Sequence, residues 1–217
     1  QLFAQKAQTS ASAAKRPVGQ TFKRKSRMTK YTDASRVYRT LGWPEVVPAK
    51  LAPESKKPAE GIHDVFGRGN AATEEQMEHW EVLFPERNCL LKMPKGVIGI
   101  DIDHYWKRRS DGSWEKKKGY DYLLEDIVRL GDLPATYSST SRGPNQHSRI
   151  LFYRVDQWIE FQPQPYTDVE LIQNHHRYAC VWPSIHPDTG QQYKWYDKDG
   201  MECPPPRPSE LATLPAE

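Results

Sequence analysis

The segment that most constrains this chain is Val97-Ile98-Gly99-Ile100-Asp101-Ile102-Asp103. Ile98, Ile100 and Ile102 recur at every second position, the period of a strand with a buried face. Side chains two apart on a strand share a face, roughly 6–7 Å from one another. Asp101 and Asp103 therefore project together from the strand's end. Carboxylates held this way repel unless a cation sits between them, and an all-oxygen donor set suits Mg²⁺ or Mn²⁺. A third acid stands in Asp168-Val169-Glu170-Leu171-Ile172. Glu170 lies between apolar neighbours, where a carboxylate is costly to bury unless it is paired or bound to metal. Asp168 shares its strand face but stands at the strand's start, an ordinary place for a turn aspartate, so Glu170 is favoured.

The elements around this segment follow from periodicity and punctuation. Residues 31–41 place Tyr31, Ala34, Val37, Tyr38 and Leu41 on one helical face, stopped by Gly42. Trp43 to Pro48 reads as extended and 50–72 as a long loop. Thr73 with Gln76 three residues on is a capping box, opening a helix with Met77, Trp80 and Leu83 or Phe84 inward. Pro94-Lys95-Gly96 turns between strands Cys89–Leu91 and Val97–Asp103. Residues 107–118 form a charged hairpin or loop holding Lys107, Arg108, Arg109, Lys116, Lys117 and Lys118. A third helix carries Tyr120, Leu123, Leu124, Ile127 and Val128, capped by Gly131. Strands follow at 135–140, 149–155, 168–173, 177–182 and 191–196, and Pro204-Pro205-Pro206 ends the pattern. The order implies an α+β fold with a mixed or antiparallel sheet.

Composition narrows the class. A chain of 217 residues with 7 Trp, 11 Tyr and 6 Phe can bury a core, which argues against wholesale disorder. It has no apolar run of the roughly 18–20 residues a membrane span needs and no apolar h-region of a secretory signal. Cys89, Cys180 and Cys203 make neither a disulfide framework nor a CxxC pair, so a reducing, cytoplasmic setting is expected. Residues 1–30 carry eight bases and no acid, leaving 23 bases against 28 acids in the rest. Residues 1–27 read as a disordered basic leader or tag, and 28–217 as the folded domain. A basic arm can grip nucleic acid or be merely solvated.

The loop Ser138 to His147 offers hydroxyls with Arg142 and His147, a set able to hold phosphate oxygens, or a plain polar hairpin loop. His175 and His176 are adjacent and would point to opposite faces, poor geometry for one ion. Ser184 and His186 lack a GxSxG turn, and Phe66-Gly67-Arg68-Gly69-Asn70 lacks the GK[ST] of a P-loop.

Taken in order, these segments resemble the bifunctional primase-polymerase (prim-pol) domain of phage and plasmid replication proteins, within the archaeo-eukaryotic primase superfamily. The matching pieces are GIDID at 99–103, His147 before RILFYRV, Glu170 within DVELI, and WPSIHPDTGQQYKW at 182–195. Upstream, Gly42 to Pro44, Lys56 to Pro58 and ATEEQMEHW at 71–80 also fit. The resemblance spans about residues 31–215. Three departures stand out: His147 is five residues before Phe152, with Arg149 between; Trp182-Pro183-Ser184 stands where many members have Pro-Pro-Ser; and the third acid is Glu rather than Asp.

The resemblance implies an RNA-recognition-like sheet core with a smaller N-terminal α/β portion and a catalytic cleft between them. It implies template-directed nucleotidyl transfer on single-stranded DNA, as primase or polymerase, with dNTPs or NTPs. Two Mg²⁺ or Mn²⁺ ions would be held by Asp101, Asp103 and Glu170. His147, with Arg142 or Arg149, would bind the triphosphate, and Ser141, Ser184 and His186 would shape the nucleotide site. Lys107, Arg108, Arg109, Lys116, Lys117 and Lys118 are candidates for template or primer contact, with Trp106 or Trp114 available for stacking. A bacterial host cytoplasm and a helicase domain in the full-length protein are the implied setting. The competing readings are a metal-dependent nuclease using the same acids and a non-catalytic nucleic-acid-binding module.

Overall fold

The structure is a computed structural model that describes residues 30–50, 56–59, 62 and 71–215. The expected leader, most of the 50–72 loop and the Gly67/Gly69 segment lie outside the described residues. In chain order the elements are α1 (Lys30–Thr40), β1 (Glu45–Pro48), α2 (Glu74–Leu83), β2 (Cys89–Lys92), β3 (Val97–Ile102), β4 (Trp106–Arg108), β5 (Trp114–Lys116) and α3 (Gly119–Leu130). Then come β6 (Ser138–Thr140), β7 (Arg149–Arg154), β8 (Val169–Ile172), β9 (Ala179–Cys180), β10 (Lys194–Tyr196) and β11 (Glu202–Cys203).

The large sheet has the order β11-β10-β6-β7-β3-β8, and every neighbouring pair is antiparallel. Alternation along β3 sorts its two faces. Ile98, Ile100 and Ile102 meet Tyr153 and Val169, and this cluster packs on Tyr120 and Leu123 of α3. Gly99, with Phe152 and Ile172 opposite it, faces the other way. Phe152 and Ile172 there join a core that includes Trp43, Tyr38, Leu90 and Trp195. Asp101 and Asp103 belong to this second face, at the strand's open end.

The N-terminal portion is a small antiparallel sheet, β1-β2-β9, packed with α1 and α2. The capping box at Thr73 forms as its sequence requires. β1 and β2 are tied by a buried ion pair, Lys92 Nζ to Glu45 Oε2 at 2.9 Å, and Glu45 also accepts the Ala72 N–H at 3.0 Å. The third strand, β9, comes from far along the chain, with Leu90 paired to Cys180. Side chains lock the two sheets together: Trp195 Nε1 donates to Tyr38 Oη at 2.7 Å, and Tyr38 Oη donates to the Trp182 carbonyl at 2.9 Å.

Two expectations need correcting. The apolar face of α3 is wider than what the body covers, so Leu124 and Val128 stay exposed. Order also continues past Pro206. Its carbonyl accepts the Trp43 indole N–H at 2.8 Å, Leu211 is buried, and Arg154 and Thr213 form a parallel bridge. Apolar Leu211 supplies a burial anchor that three prolines alone do not.

Candidate active site

The end of β3 sets four carboxylates on one face of two adjacent strands. Asp101 stands opposite Glu170 in the β3–β8 register, and the Asp103 N–H continues the ladder to the Asp168 carbonyl at 2.9 Å. The outer two acids have partners. Glu170 Oε1 lies 3.0 Å from His176 Nε2 and accepts Arg177 Nε–H at 2.7 Å. Asp168 accepts the Lys118 N–H at 2.8 Å and pairs with Lys117 Nζ at 3.1 Å. Asp101 and Asp103 differ: among the described residues, no donor hydrogen-bonds their carboxylates.

These two carboxylates form part of a pocket whose wall includes Lys56, Tyr105, Arg142 and His186. Asp101 reaches solvent through the mouth but is densely surrounded. Desolvation, followed by repulsion from Asp103, pushes its pKa up to about 7. Desolvation raises Asp103 as well, opposed by Lys56 and Lys117.

The facing wall is cationic and rigidly built. Arg142 lies with its guanidinium 3.7 Å from the Tyr105 ring centroid, a cation–π contact that fixes its direction. Its N–H donates to Thr140 Oγ1, and Thr140 in turn donates to the Ser148 carbonyl. Ser139 and Ser141 line the same wall, and the buried Ser139 hydroxyl has no hydrogen-bond partner among the described residues. His186 Nδ1 faces the N–H groups of Asp188 and Thr189 at 3.1 and 3.3 Å, and Nε2 lies 3.0 Å from Lys56 Nζ. Burial, then the Lys56 and Arg142 charges, push the His186 pKa down to about 4, so its imidazole is neutral at pH 7.

Sequence reasoning placed Asp101, Asp103, Arg142, Ser141, Arg149 and His186 in one site, and all six line this pocket. Glu170 is beside Asp101 in register but turned to His176 and Arg177. Arg149 donates to the Pro144 and Gln146 carbonyls, stapling its own loop. His147 is not brought to the pocket. It is exposed and stacks on Tyr120 at 3.8 Å, with His104 edge-on at 5.6 Å. Ser184 is fully buried. Its hydroxyl accepts the Cys89 N–H at 2.7 Å and faces the Cys89 carbonyl at 3.0 Å, clamping its loop to β2.

The six hairpin bases divide as well. Lys117 is occupied by Asp168 and Glu115, and Arg109 by Glu115 at 3.2 Å. Lys107, Arg108, Lys116 and Lys118 are exposed. Of the charged residues that line the pocket, Lys56 was not singled out as a ligand from sequence. Its only signal was the Lys-Lys-Pro run, because it meets His186 across 130 positions.

A pocket pairing two unpartnered carboxylates with a cationic, hydroxyl-lined wall suits a substrate carrying phosphate and metal. The sequence model of the family described as bifunctional DNA primase/polymerase, N-terminal (Prim-Pol), matches residues 34–216. The chain belongs to this family. No curated protein and no solved structure matches it. Prim-Pol membership implies DNA primase/polymerase nucleotidyl transfer in replication, with DNA and nucleotide substrates and divalent metal. None of the helices among the described residues is long and apolar enough to cross a membrane.

The donor set of this Prim-Pol pocket fits such an ion in a particular way. Among the described residues, no three His, Cys, Asp or Glu side chains converge on a metal position. The described residues therefore offer no all-protein cage. Two carboxylates with open solvent and room for phosphate are what Mg²⁺ uses, since it keeps waters and takes the rest of its shell from substrate.

Proposed function

We propose that this Prim-Pol domain carries out template-directed nucleotidyl transfer on single-stranded DNA, as a primase, a polymerase or both, in phage or plasmid replication. The observation that carries this is the pairing of Asp101 and Asp103, whose carboxylates accept no hydrogen bond among the described residues, with the Arg142, Lys56 and His186 wall across one pocket. Asp101 and Asp103 would hold Mg²⁺ or Mn²⁺, with Glu170 completing the set once it leaves Arg177. Bound there, two ions would supply activation of the attacking 3′-hydroxyl and charge neutralisation on the pyrophosphate leaving group.

The remaining roles belong to this chain's own side chains. Arg142, held flat on Tyr105, would present donors to the triphosphate where negative charge develops, and Lys56, on the same wall, would add an ammonium. Arg142 thereby takes the place His147 has in the family pattern, and His147 is left at the Tyr120 surface. His186, neutral, gives shape and hydrogen bonding without adding charge. The strand order β8-β3-β7-β6, with α3 on the crossover from β3 to β6, supports the RNA-recognition-like core. The pocket, walled by β3 and by Tyr178 and Cys180 of the small-sheet side, supports a cleft between core and N-terminal portion.

The test is nucleotide incorporation on a single-stranded template, with and without primer, in Mg²⁺ or Mn²⁺, comparing wild type with Asp101→Ala and Glu170→Ala. Metal-dependent products that vanish in both variants support the assignment, and products without primer add priming. Template degradation in place of incorporation would replace this reading with the nuclease. Unchanged DNA binding with no turnover in all three proteins would leave a binding module.

A further inference from the structure

The hairpin β4–β5 leaves the body immediately after the acids. Its register pairs Trp106 with Lys116 and Arg108 with Trp114. Cross-strand partners share a face, as do residues two apart. Trp106, Arg108, Trp114 and Lys116 therefore occupy one face, with Lys107 and Glu115 on the other. On the second face Lys107 is exposed, while Lys117, in step with Glu115, binds Asp168, and its N–H donates to the Tyr105 carbonyl at 2.8 Å.

The outward face is unlike an ordinary solvated ribbon. Trp106 and Trp114 are each 62% exposed. The hairpin is anchored at its base by Tyr105 and Lys117. Each indole stands opposite a cation, so rings and positive charges alternate in a checkerboard. A single strand of nucleic acid has the complementary repeat of flat base and negative phosphate, whereas duplex DNA keeps its bases stacked out of reach. The face is also continuous with the pocket. Trp106 and Lys116 line a groove with Tyr105 and Arg142, and those last two line the acid pocket.

We infer that the Trp106/Arg108/Trp114/Lys116 face is the docking platform for the single-stranded template, two bases stacking on the indoles and the intervening phosphates on Arg108 and Lys116. This inference rests on the polymerase reading, because it is the proximity to Asp101 and Asp103 that makes the strand a template.

The experiment is fluorescence anisotropy with a labelled homopyrimidine single strand, alongside primer extension. Wild type is compared with Trp106→Ala, Trp114→Ala, the double Trp→Phe variant, and Lys107→Ala on the opposite face. Base stacking on an aromatic is worth about tenfold or more in affinity per base. Each Trp→Ala variant should weaken strand binding about tenfold and raise the template KM in primer extension by a similar factor. The double Phe variant should keep most of the affinity, and Lys107→Ala should lose little. Because both indoles are exposed, unfolding midpoints should match wild type. Trp→Ala variants that bind the strand as wild type does, or wild type binding duplex equally well, would overturn the platform. Wild type that binds through the tryptophans yet incorporates no nucleotide would instead overturn the polymerase reading, so the two failures are distinct.

Discussion

Asp101 shows how a single side chain can set stability and chemistry against each other. Its carboxyl is raised from 3.8 to about 7 in the folded chain. A folded pKa above the unfolded one favours folding below about pH 4, and that contribution is lost as pH rises through 7. Asp101→Asn should therefore stabilise the metal-free protein at pH 8 by about 1–2 kcal/mol, a melting shift of a few degrees. At pH 4 the gain should disappear. Thermal melts in chelator at the two pH values check this, and the same variant should lose any stabilisation by Mn²⁺. Lys56 gives a second prediction: Lys56→Ala should raise the nucleotide KM about tenfold, the scale of one charge-assisted contact. Titration of nucleotide in primer extension checks it. The Asp101/Asp103 pair was legible because strand alternation is local. Lys56 was not, because its meeting with His186 depends on how distant segments fold together. Ser184, which the resemblance assigns to the nucleotide site, gives its hydroxyl to Cys89, a contact between distant segments that no local pattern shows.

Among the elements, α3 matters most to the site. It starts where β3 ends and β8 begins, and Gly119 fits because it has no side chain. A Cβ there would stand 2.3 Å from the Asp168 carbonyl oxygen and 2.9 Å from that of Asp103. Both obstacles are backbone, so relief requires moving the strand ends that carry the acids. Gly119→Ala should cost about 3 kcal/mol, read from the urea midpoint, and should lower kcat even where the protein stays folded. The capping box, α1 and the central strands were legible from period and punctuation. The unburied side of α3 was not, because periodicity shows which residues are apolar but not how much of them a neighbour covers: Leu124 and Val128 fit the pattern and remain in water. The rear of the chain misled in the opposite sense, since Leu211 shows its burial only once Trp43 and β7 are in place.

At the scale of the molecule, the two sheets share one core. Trp43, Phe152 and Trp195 meet in it, with Trp43 edge-on to Phe152 at 6.2 Å between centroids. The N-terminal portion and the large sheet should therefore unfold in a single transition, with far-ultraviolet dichroism and tryptophan emission superimposing. Trp43→Ala should destabilise the whole chain by about 3–5 kcal/mol, without leaving a separately melting half. Two transitions, or loss of only the helical signal, would show that the sheets are independent.

The late arrival of β9 gives the molecule a history as well as a shape. During synthesis, β1 and β2 emerge early, but the edge of β2 waits for Ala179–Cys180. That is about 90 residues further on, roughly 4–18 s at ordinary elongation rates. Through that interval Leu90 and Leu91 border an open strand edge, the kind of surface that captures other chains. The nascent protein thus carries that open edge until β9 has been made, and closure of the small sheet is an event timed by the ribosome.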